Sequence, residues 1–240
     1  YIKDKNIADF IVEFSQYGVP PIDSFVSSCP HIKPRTYSIA SAPCKTRQFM
    51  TLYVTTTTFG NSKTGLCSGF LKNKDTSKIY MKLIEDEIDQ ISDIKDMPML
   101  VISTEIGIAS VFSLLELRQY DDGPFGKCQL YHSRKYHNKL IDELNEFKAN
   151  GAVDDVFVGY TEEKSHEPQT VLDLMRNNMD NLWKLWENPK CMLYYNGLPG
   201  QIADEIIQLL VDITESFMKV TLDEAHDIVS KHNIIFNFVE

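Results

Sequence analysis

The second half of the chain alternates short apolar runs with helix-period segments, and this alternation narrows the fold more than any other feature. Residues 99–103 read as a buried strand, 109–118 as a helix, 127–132 as a strand and 138–150 as a helix closed by Gly151. Residues 155–160 are then a strand, 168–187 largely helical, 191–196 a strand and 202–216 a helix. Such βα alternation predicts a parallel sheet covered on both faces, with ligands taken at the carboxyl ends of its strands.

The first half reads differently. Residues 3–17 place Ile7, Phe10, Ile11 and Phe14 at helical spacing, and Gly18 with Pro20 and Pro21 ends the segment. Residues 22–29 form a second short helix stopped by Pro30. From 35 to 58 the chain is rich in Tyr, Thr, Val and Ile, with strand-like runs at 36–40 and 49–57 separated by Pro43, which suggests a small antiparallel barrel. A helix opens near 67–71, and 78–91 is mixed. The polar stretch 92–97, closed by Pro98, is the expected domain boundary.

A chain of 240 residues with 43% hydrophobic residues buries a substantial core in one large or two modest domains. Its formal net charge of -10 argues against nucleic acid, whose binding rests on clustered Lys and Arg. The five cysteines, at 29, 44, 67, 128 and 191, include no close pair, which fits a reducing compartment better than a disulfide framework or a zinc ribbon. No run approaches the roughly 20 apolar residues that cross a bilayer, and the N-terminus lacks signal-peptide regions. Opening at Tyr1 directly into an amphipathic segment suggests a fragment of a longer protein.

Two motifs carry chemistry. Arg35-Thr36-Tyr37-Ser38, followed by Ile39-Ala40-Ser41, offers a guanidinium, an aromatic face and a hydroxyl along one strand. That set can hold a pyrophosphate, stack on a planar ring and hydrogen-bond to it; the alternative is a plain amphipathic strand. Gly65-Leu66-Cys67-Ser68-Gly69 precedes an apolar run, an arrangement that turns backbone N–H groups toward an anion, or else a simple glycine turn.

With these motifs the chain resembles the ferredoxin–NADP reductase superfamily, in particular the C-terminal reductase unit of diflavin reductases. In that family an Arg-x-Tyr-Ser strand and a downstream Gly-x-Cys/Ala-Ser/Thr turn bind FAD together. The resemblance covers nearly the whole chain. Pro20-Pro21-Ile22-Asp23 and Pro30 to Arg35 look like the end of a helical connecting region, and Ile106-Gly107-Ile108-Ala109 like the tail of a Gly-Pro-Gly-Thr-Gly-Ile-Ala-Pro loop. Leu130-Tyr131-His132-Ser133-Arg134-Lys135 resembles a nucleotide-gripping strand end, Leu182-Trp183-Lys184-Leu185 a familiar helix, and Asn196-Gly197 stands where the family has Cys-Gly-Asp.

Carried over, Arg35 pairs with the FAD pyrophosphate, Tyr37 stacks on the isoalloxazine and Ser38 bonds near the reactive nitrogen as the surviving catalytic hydroxyl. Gly65, Leu66, Cys67 and Ser68 hold phosphates, and Tyr53, Val54 and Thr55 lie toward the adenine. Gly107, Ser133, Arg134, Lys135, Asn196 and Gly197 fall to the nicotinamide nucleotide, with Lys164 a further phosphate ligand; a solvated strand end is the alternative for the cations. The loop 103–107 keeps only its last glycine, and Glu105 would repel a pyrophosphate. The 2′-phosphate grip is replaced by Thr161, Glu162, Glu167 and Gln169, and Asn196 and Leu198 replace a Cys and an Asp.

The resemblance implies a two-domain α/β protein. Residues 1–97 would hold the end of the connecting region and an antiparallel FAD-binding β-barrel with helical additions. Residues 98–240 would form a doubly wound parallel-sheet NADP(H)-binding domain. It implies FAD and NADPH as cofactors, no metal, and electron transfer as an NADPH-dependent oxidoreductase to an FMN (flavodoxin-like) domain in the same or another chain. The expected location is the cytoplasm, or the cytoplasmic face of a membrane where an anchor lies elsewhere in the protein. The alternative is an FAD-binding or empty scaffold that acts as an interaction module. His132 and His137 are expected to face solvent, Trp183 and Trp186 to pack in a core, and Glu85-Asp86-Glu87 to form a solvated surface. Phe236 or Phe238 would shield the flavin or pack as strand core.

Overall fold

The computed structural model describes residues 7–29, 31–56, 58–59, 63–73, 78–85, 88, 94–164 and 167–238. The expected roles of Pro30, of Asp86 and Glu87 and of the start of the 92–97 boundary fall outside the described residues. The chain forms two compact units, Tyr1–Thr36 with Val54–Tyr80, and Tyr37–Tyr53 with Met81–Glu240.

In the first unit, helix α1 (Ile7–Phe14) carries a stacked Phe10–Phe14 pair at 5.9 Å, as its helical spacing requires. A 3-10 turn, Ser15–Tyr17, ends at Gly18, whose φ of 121° suits glycine. Helix α2 (Ile22–Ser28) follows Pro21. Strands β1 (Thr58–Phe59) and β2 (Lys63–Thr64) pair antiparallel, and helix α3 (Leu66–Lys72) begins after Gly65. In the second unit, the two strand-like runs expected on either side of Pro43 meet at one antiparallel bridge, Ile39 to Leu52. The expected barrel is not displayed by the described residues.

The second unit is built on five parallel strands: β3 (Met99–Thr104), β4 (Cys128–Arg134), β5 (Asp155–Tyr160), β6 (Met192–Gly197) and β7 (Asn233–Phe238), in the order β5-β4-β3-β6-β7. The connections are helical: α4 (Ile108–Tyr120), α5 (Lys139–Ala149), the pair α6 (Val171–Asn177) and α7 (Met179–Trp186), then α8 (Gln201–Met218) and α9 (Leu222–Ser230). Every residue of β3 is buried because helices cover both faces, which is why its sequence reads as an apolar run as far as Ile102, before the polar Ser103 and Thr104. Leu100, Ile102, Tyr131, Leu193 and Tyr195 face one layer with α6, α7 and α8, whereas Met99, Val101, Leu130, Met192 and Tyr194 face α4 and α5. Burying each aliphatic side chain contributes about 2 kcal/mol, so Leu100→Ala at the sheet centre costs about 2–5 kcal/mol.

Candidate functional site

The chain leaves β3 into α4 on one face and leaves β6 into α8 on the other, although the two strands are neighbours. This divergence opens a crevice at their carboxyl ends, the switch point of a doubly wound sheet. After β3 the chain makes a tight 3-10 turn, Glu105–Gly107. Added Cβ atoms would lie 2.3 Å from the Asn196 carbonyl oxygen at Gly107 and 2.2 Å from Thr104 Oγ1 at Gly197, so glycine at both positions lets the turn and the end of β6 close up. Glu105 holds a left-handed φ of 48°, a conformation that costs a non-glycine residue about 1 kcal/mol.

Side-chain capping at the helix N-termini is uneven: α2, α3 and α7 lack it, as do the two helices beside the crevice. α5, α6 and α9 are capped by the side chains of Asn138, Thr170 and Thr221, the last two in reciprocal capping boxes. α4 and α8 start after Gly107 and Gly200 with no side-chain cap. Their first-turn N–H groups, with the positive end of the helix dipole, suit an anion.

Beneath the crevice a polar band crosses four strands through the register neighbours His132, Ser103, Asn196 and Asn237. The expectation that His132 faces solvent is wrong: β4 continues past it, and the ring is fully buried between β3 and β5. Its Nδ1 lies 3.1 Å from Ser103 Oγ and 3.2 Å from the Ser103 carbonyl oxygen. Because a carbonyl only accepts, Nδ1 carries the proton, and the Nε2 lone pair has no partner among the described residues. Burial, and then the Arg134 charge, pushes the imidazole down to about 3, so it is neutral. Asn237 Nδ2 donates to Ser110 Oγ at 3.1 Å and to Asn196 Oδ1 at 3.0 Å, while Asn196 Nδ2 is unpartnered among the described residues. Leu198 is exposed, and its carbonyl accepts from Tyr195 Oη at 3.0 Å.

At the end of β4, Ser133 is buried beside Thr104, and Arg134 is half-buried with its Nε unpartnered among the described residues. Glu162 is not the bare charge its sequence position suggests. It pairs with Lys135 Nζ at 2.9 Å and accepts from Tyr136 Oη at 2.8 Å, and these partners hold its carboxyl below the usual range. Lys135 is raised in turn, first by Glu162. His137 is exposed, with Nε2 3.7 Å from Asp142. Lys164 and Glu167 are exposed. Thus Gly107, Ser133, Asn196 and Gly197 converge on one end of the sheet, with Arg134 and Lys135 at its margin.

The flavin-type residues divide between the units. Arg35, Val54, Thr55, Gly65, Leu66, Cys67 and Ser68 belong to the first, and Tyr37, Ser38 and Tyr53 to the second. Arg35 is exposed and donates to the Lys33 and Pro34 carbonyls at 3.0 and 3.3 Å. Ser68 is buried, Cys67 half-buried and Leu66 exposed. Tyr37 and Ser38 are half-buried at the start of a segment anchored on α4. There the buried Glu116 accepts from Ala42 N at 2.9 Å and Lys45 Nζ at 2.5 Å, and Ser41 Oγ accepts from Thr51 N at 2.9 Å. Tyr53 packs edge-on against Phe112 at 5.4 Å and donates to Glu143 at 3.3 Å; burial first, and then Glu143, pushes its phenol up to about 12.

Asn237, Ser110 and Glu116 were not singled out by sequence, and His132 was read as part of a strand end but expected to face solvent. A polar residue inside an apolar strand run was the available signal for His132, and none existed for Glu116, whose helix pattern looks ordinary.

The fold and crevice define a doubly wound α/β domain with an open switch point. No family model matches the chain. It is nevertheless similar to flavoprotein reductases. An uncharacterized FAD-binding protein of Schizosaccharomyces pombe is 23% identical over 86% of this chain and 40% of the relative's length. An NADPH-dependent diflavin oxidoreductase of Dictyostelium discoideum is 22% identical over 88% of this chain and 36% of its own. The sulfite reductase [NADPH] flavoprotein alpha-component of Mannheimia succiniciproducens is 22% identical over 95% and 38%. The chain thus resembles the diflavin reductases and spans about two fifths of the length of the curated relatives it matches.

Proposed function

We propose that this chain is the FAD- and NADPH-binding reductase unit of a diflavin reductase, passing electrons from NADPH through FAD to an FMN domain in the same or another chain. The observation that carries this reading is the switch-point crevice, where the helices that follow two neighbouring strands start uncapped after Gly107 and Gly200, and Gly197 lets the end of β6 close up on the turn. The residues fit the nucleotide: uncapped N–H groups for a pyrophosphate, the orphaned Asn196 Nδ2 as a buried donor, and Arg134 at the margin. FAD, when bound, supplies the redox chemistry.

The chain's own residues bind and orient. Arg35 offers a guanidinium to a phosphate, Tyr37 a ring face to the flavin and Ser38 a hydroxyl near its reactive edge, with Gly65, Leu66, Cys67 and Ser68 on the phosphates and Tyr53, Val54 and Thr55 toward the adenine. The Glu116 anchor fixes the segment that follows Ser38 against α4. The domains are 1–97, an antiparallel FAD-binding barrel with helical additions, and 98–240, the nucleotide domain. A cytoplasmic location fits this role. Among the described residues no helix is long and apolar enough to cross a membrane. Relatives named as FAD-binding and NADPH-dependent do not favour the empty-scaffold alternative.

Stopped-flow reduction of the FAD-loaded protein by NADPH and by NADH tests the reading. FAD should be reduced, slowly, with a weaker preference for NADPH than intact 2′-phosphate ligands give, because Glu162 already occupies Lys135. Absence of flavin uptake, or of any reduction, refutes the reading.

A further inference from the structure

The segment Tyr37–Tyr53, which begins with two residues of the flavin motif, belongs to the same compact unit as the parallel sheet. Ala40 and Ala42 are 2% exposed, and Ala40 packs in the core layer that holds α4 and α5. Most of the tethers lead to one helix. Along α4, Phe112 takes the edge of Tyr53 at 5.4 Å, Ser113 Oγ donates to the Ser41 carbonyl at 3.3 Å, and Glu116 accepts from Ala42 N at 2.9 Å and from Lys45 Nζ at 2.5 Å. Lys45 also lies over the Tyr120 ring at 5.6 Å. Within the segment, Ala40 N donates to the Thr51 carbonyl at 2.8 Å beside the Ile39 to Leu52 bridge, so the backbone is held as far as the residue that follows Ser38.

Glu116 is 7% exposed, which is uncommon for a carboxylate. Replacing a buried ion pair by apolar packing is often neutral or stabilising, so stability alone does not account for it. A buried pair does favour one arrangement, because a segment that shifts leaves a charge without its partner. The alanines on either side of Ser41 would pack in several positions, whereas one carboxylate that meets both a backbone N–H and an ammonium selects a single one. The same helix begins after Gly107, in the crevice, with no side-chain cap. Nine residues at 1.5 Å put Glu116 about 14 Å along its axis. One helix therefore has its N-terminus at the nucleotide crevice and its later turns on the segment that carries Tyr37 and Ser38.

We propose that Glu116 is a positioning residue for the reduction of FAD by NADPH, in which a hydride and a solvent proton pass to the flavin and NADP⁺ leaves. It acts through the segment it holds, keeping the Tyr37 ring face and the Ser38 hydroxyl in register with the helix whose N-terminus suits the nucleotide pyrophosphate. The inference rests on the electron-transfer reading above. A displacement of about 1 Å at a reacting centre costs roughly 100-fold in rate. The groups that bind either cofactor stay in place, so affinity is spared.

The test compares the FAD-loaded 240-residue chain with its Glu116→Ala, Glu116→Gln and Ser113→Ala variants. Stopped-flow reduction over a range of NADPH concentrations separates the limiting rate from the apparent Kd. Fluorescence titration gives the FAD affinity, and visible circular dichroism of the bound flavin reports its setting without turnover. Glu116→Ala should lower the limiting rate by roughly 10- to 100-fold and alter the flavin dichroism, with both affinities within about twofold of the parent. Glu116→Gln, which keeps an acceptor for the Ala42 N–H, should recover most of the rate and the parental spectrum. Ser113→Ala removes one tether and leaves the buried ion pair alone, so it tests the link even if Glu116→Ala does not fold; it should lower the limiting rate by about threefold with the affinities kept. An unchanged limiting rate in Glu116→Ala, or in Ser113→Ala where Glu116→Ala does not fold, overturns the proposal. So does a loss carried by weaker binding, or a Glu116→Gln variant as slow as Glu116→Ala. A parent protein that takes up no FAD, or that NADPH does not reduce, overturns the functional reading itself and this inference with it.

Discussion

At Glu105 a carboxylate rides on backbone geometry that glycine adopts at no steric cost. Relief of about 1 kcal/mol of strain on Glu105→Gly is roughly matched by the backbone entropy glycine adds to the unfolded chain. Thermal stability should therefore change little. The gain should lie in binding, because an anion leaves the turn through which a pyrophosphate approaches α4. Stopped-flow titration should show a lower apparent Kd for NADPH, and an unchanged or weaker affinity would place the phosphates elsewhere. On the flavin side, Arg35→Ala removes a charge-assisted contact and Tyr37→Ala the stacking face. Each should weaken FAD by roughly 10- to 100-fold, as flavin fluorescence titration would show; parent-like affinity in both variants contradicts the assignment.

The turn after β3 and the end of β6 are packed so closely that one methyl group separates tolerance from strain. Gly107→Ala would drive a Cβ to 2.3 Å from the Asn196 carbonyl oxygen, and that atom belongs to a central strand with no freedom to retreat. A loss of about 1–3 kcal/mol in urea unfolding is expected, together with weaker NADPH binding. Parent-like stability would mean that the turn relaxes freely. The central strands β3 and β6 were legible because two-sided burial writes a largely apolar run into each, whereas α9 and the partly buried edge strand β7 were not set out as elements from the sequence. The segment 168–187 divides into α6 and α7 at Asn178, whose side chain turns back onto the Leu174 carbonyl at 2.8 Å, a break that uniform helical periodicity hides. The strand-like runs beside Pro43 show the opposite limit. An extended segment becomes a strand only where a partner pairs with it, and here the described pairing is the Ile39 to Leu52 bridge.

For the whole molecule, the buried His132 couples folding to pH. Its unfolded ring titrates near 6.5 and its folded ring near 3, so between these values the unfolded chain binds a proton that the folded one refuses. The contribution is fully present above pH 6.5 and is lost as pH falls toward about 3, at up to about 1.4 kcal/mol per pH unit. His232, lowered by burial, acts in the same direction. Urea unfolding from about pH 7 to about pH 4.5 should show this slope, and His132→Gln should flatten it; an equal slope in the variant would assign the protons to other groups. Local pattern was enough to read the alternation of elements, the parallel sheet and the glycine turn into α4, because periodicity and turn chemistry act between residues close in the chain, while the resemblance to flavoprotein reductases rested on short motifs such as Arg35 to Ser38 and Gly65 to Gly69. The burial of His132, the pairing of Glu162 with Lys135 and Tyr136 and the stacking of Trp186 on His232 came from residues brought together by the fold. Desolvation, charge pairing and ring stacking depend on distance in space, which a linear pattern does not record.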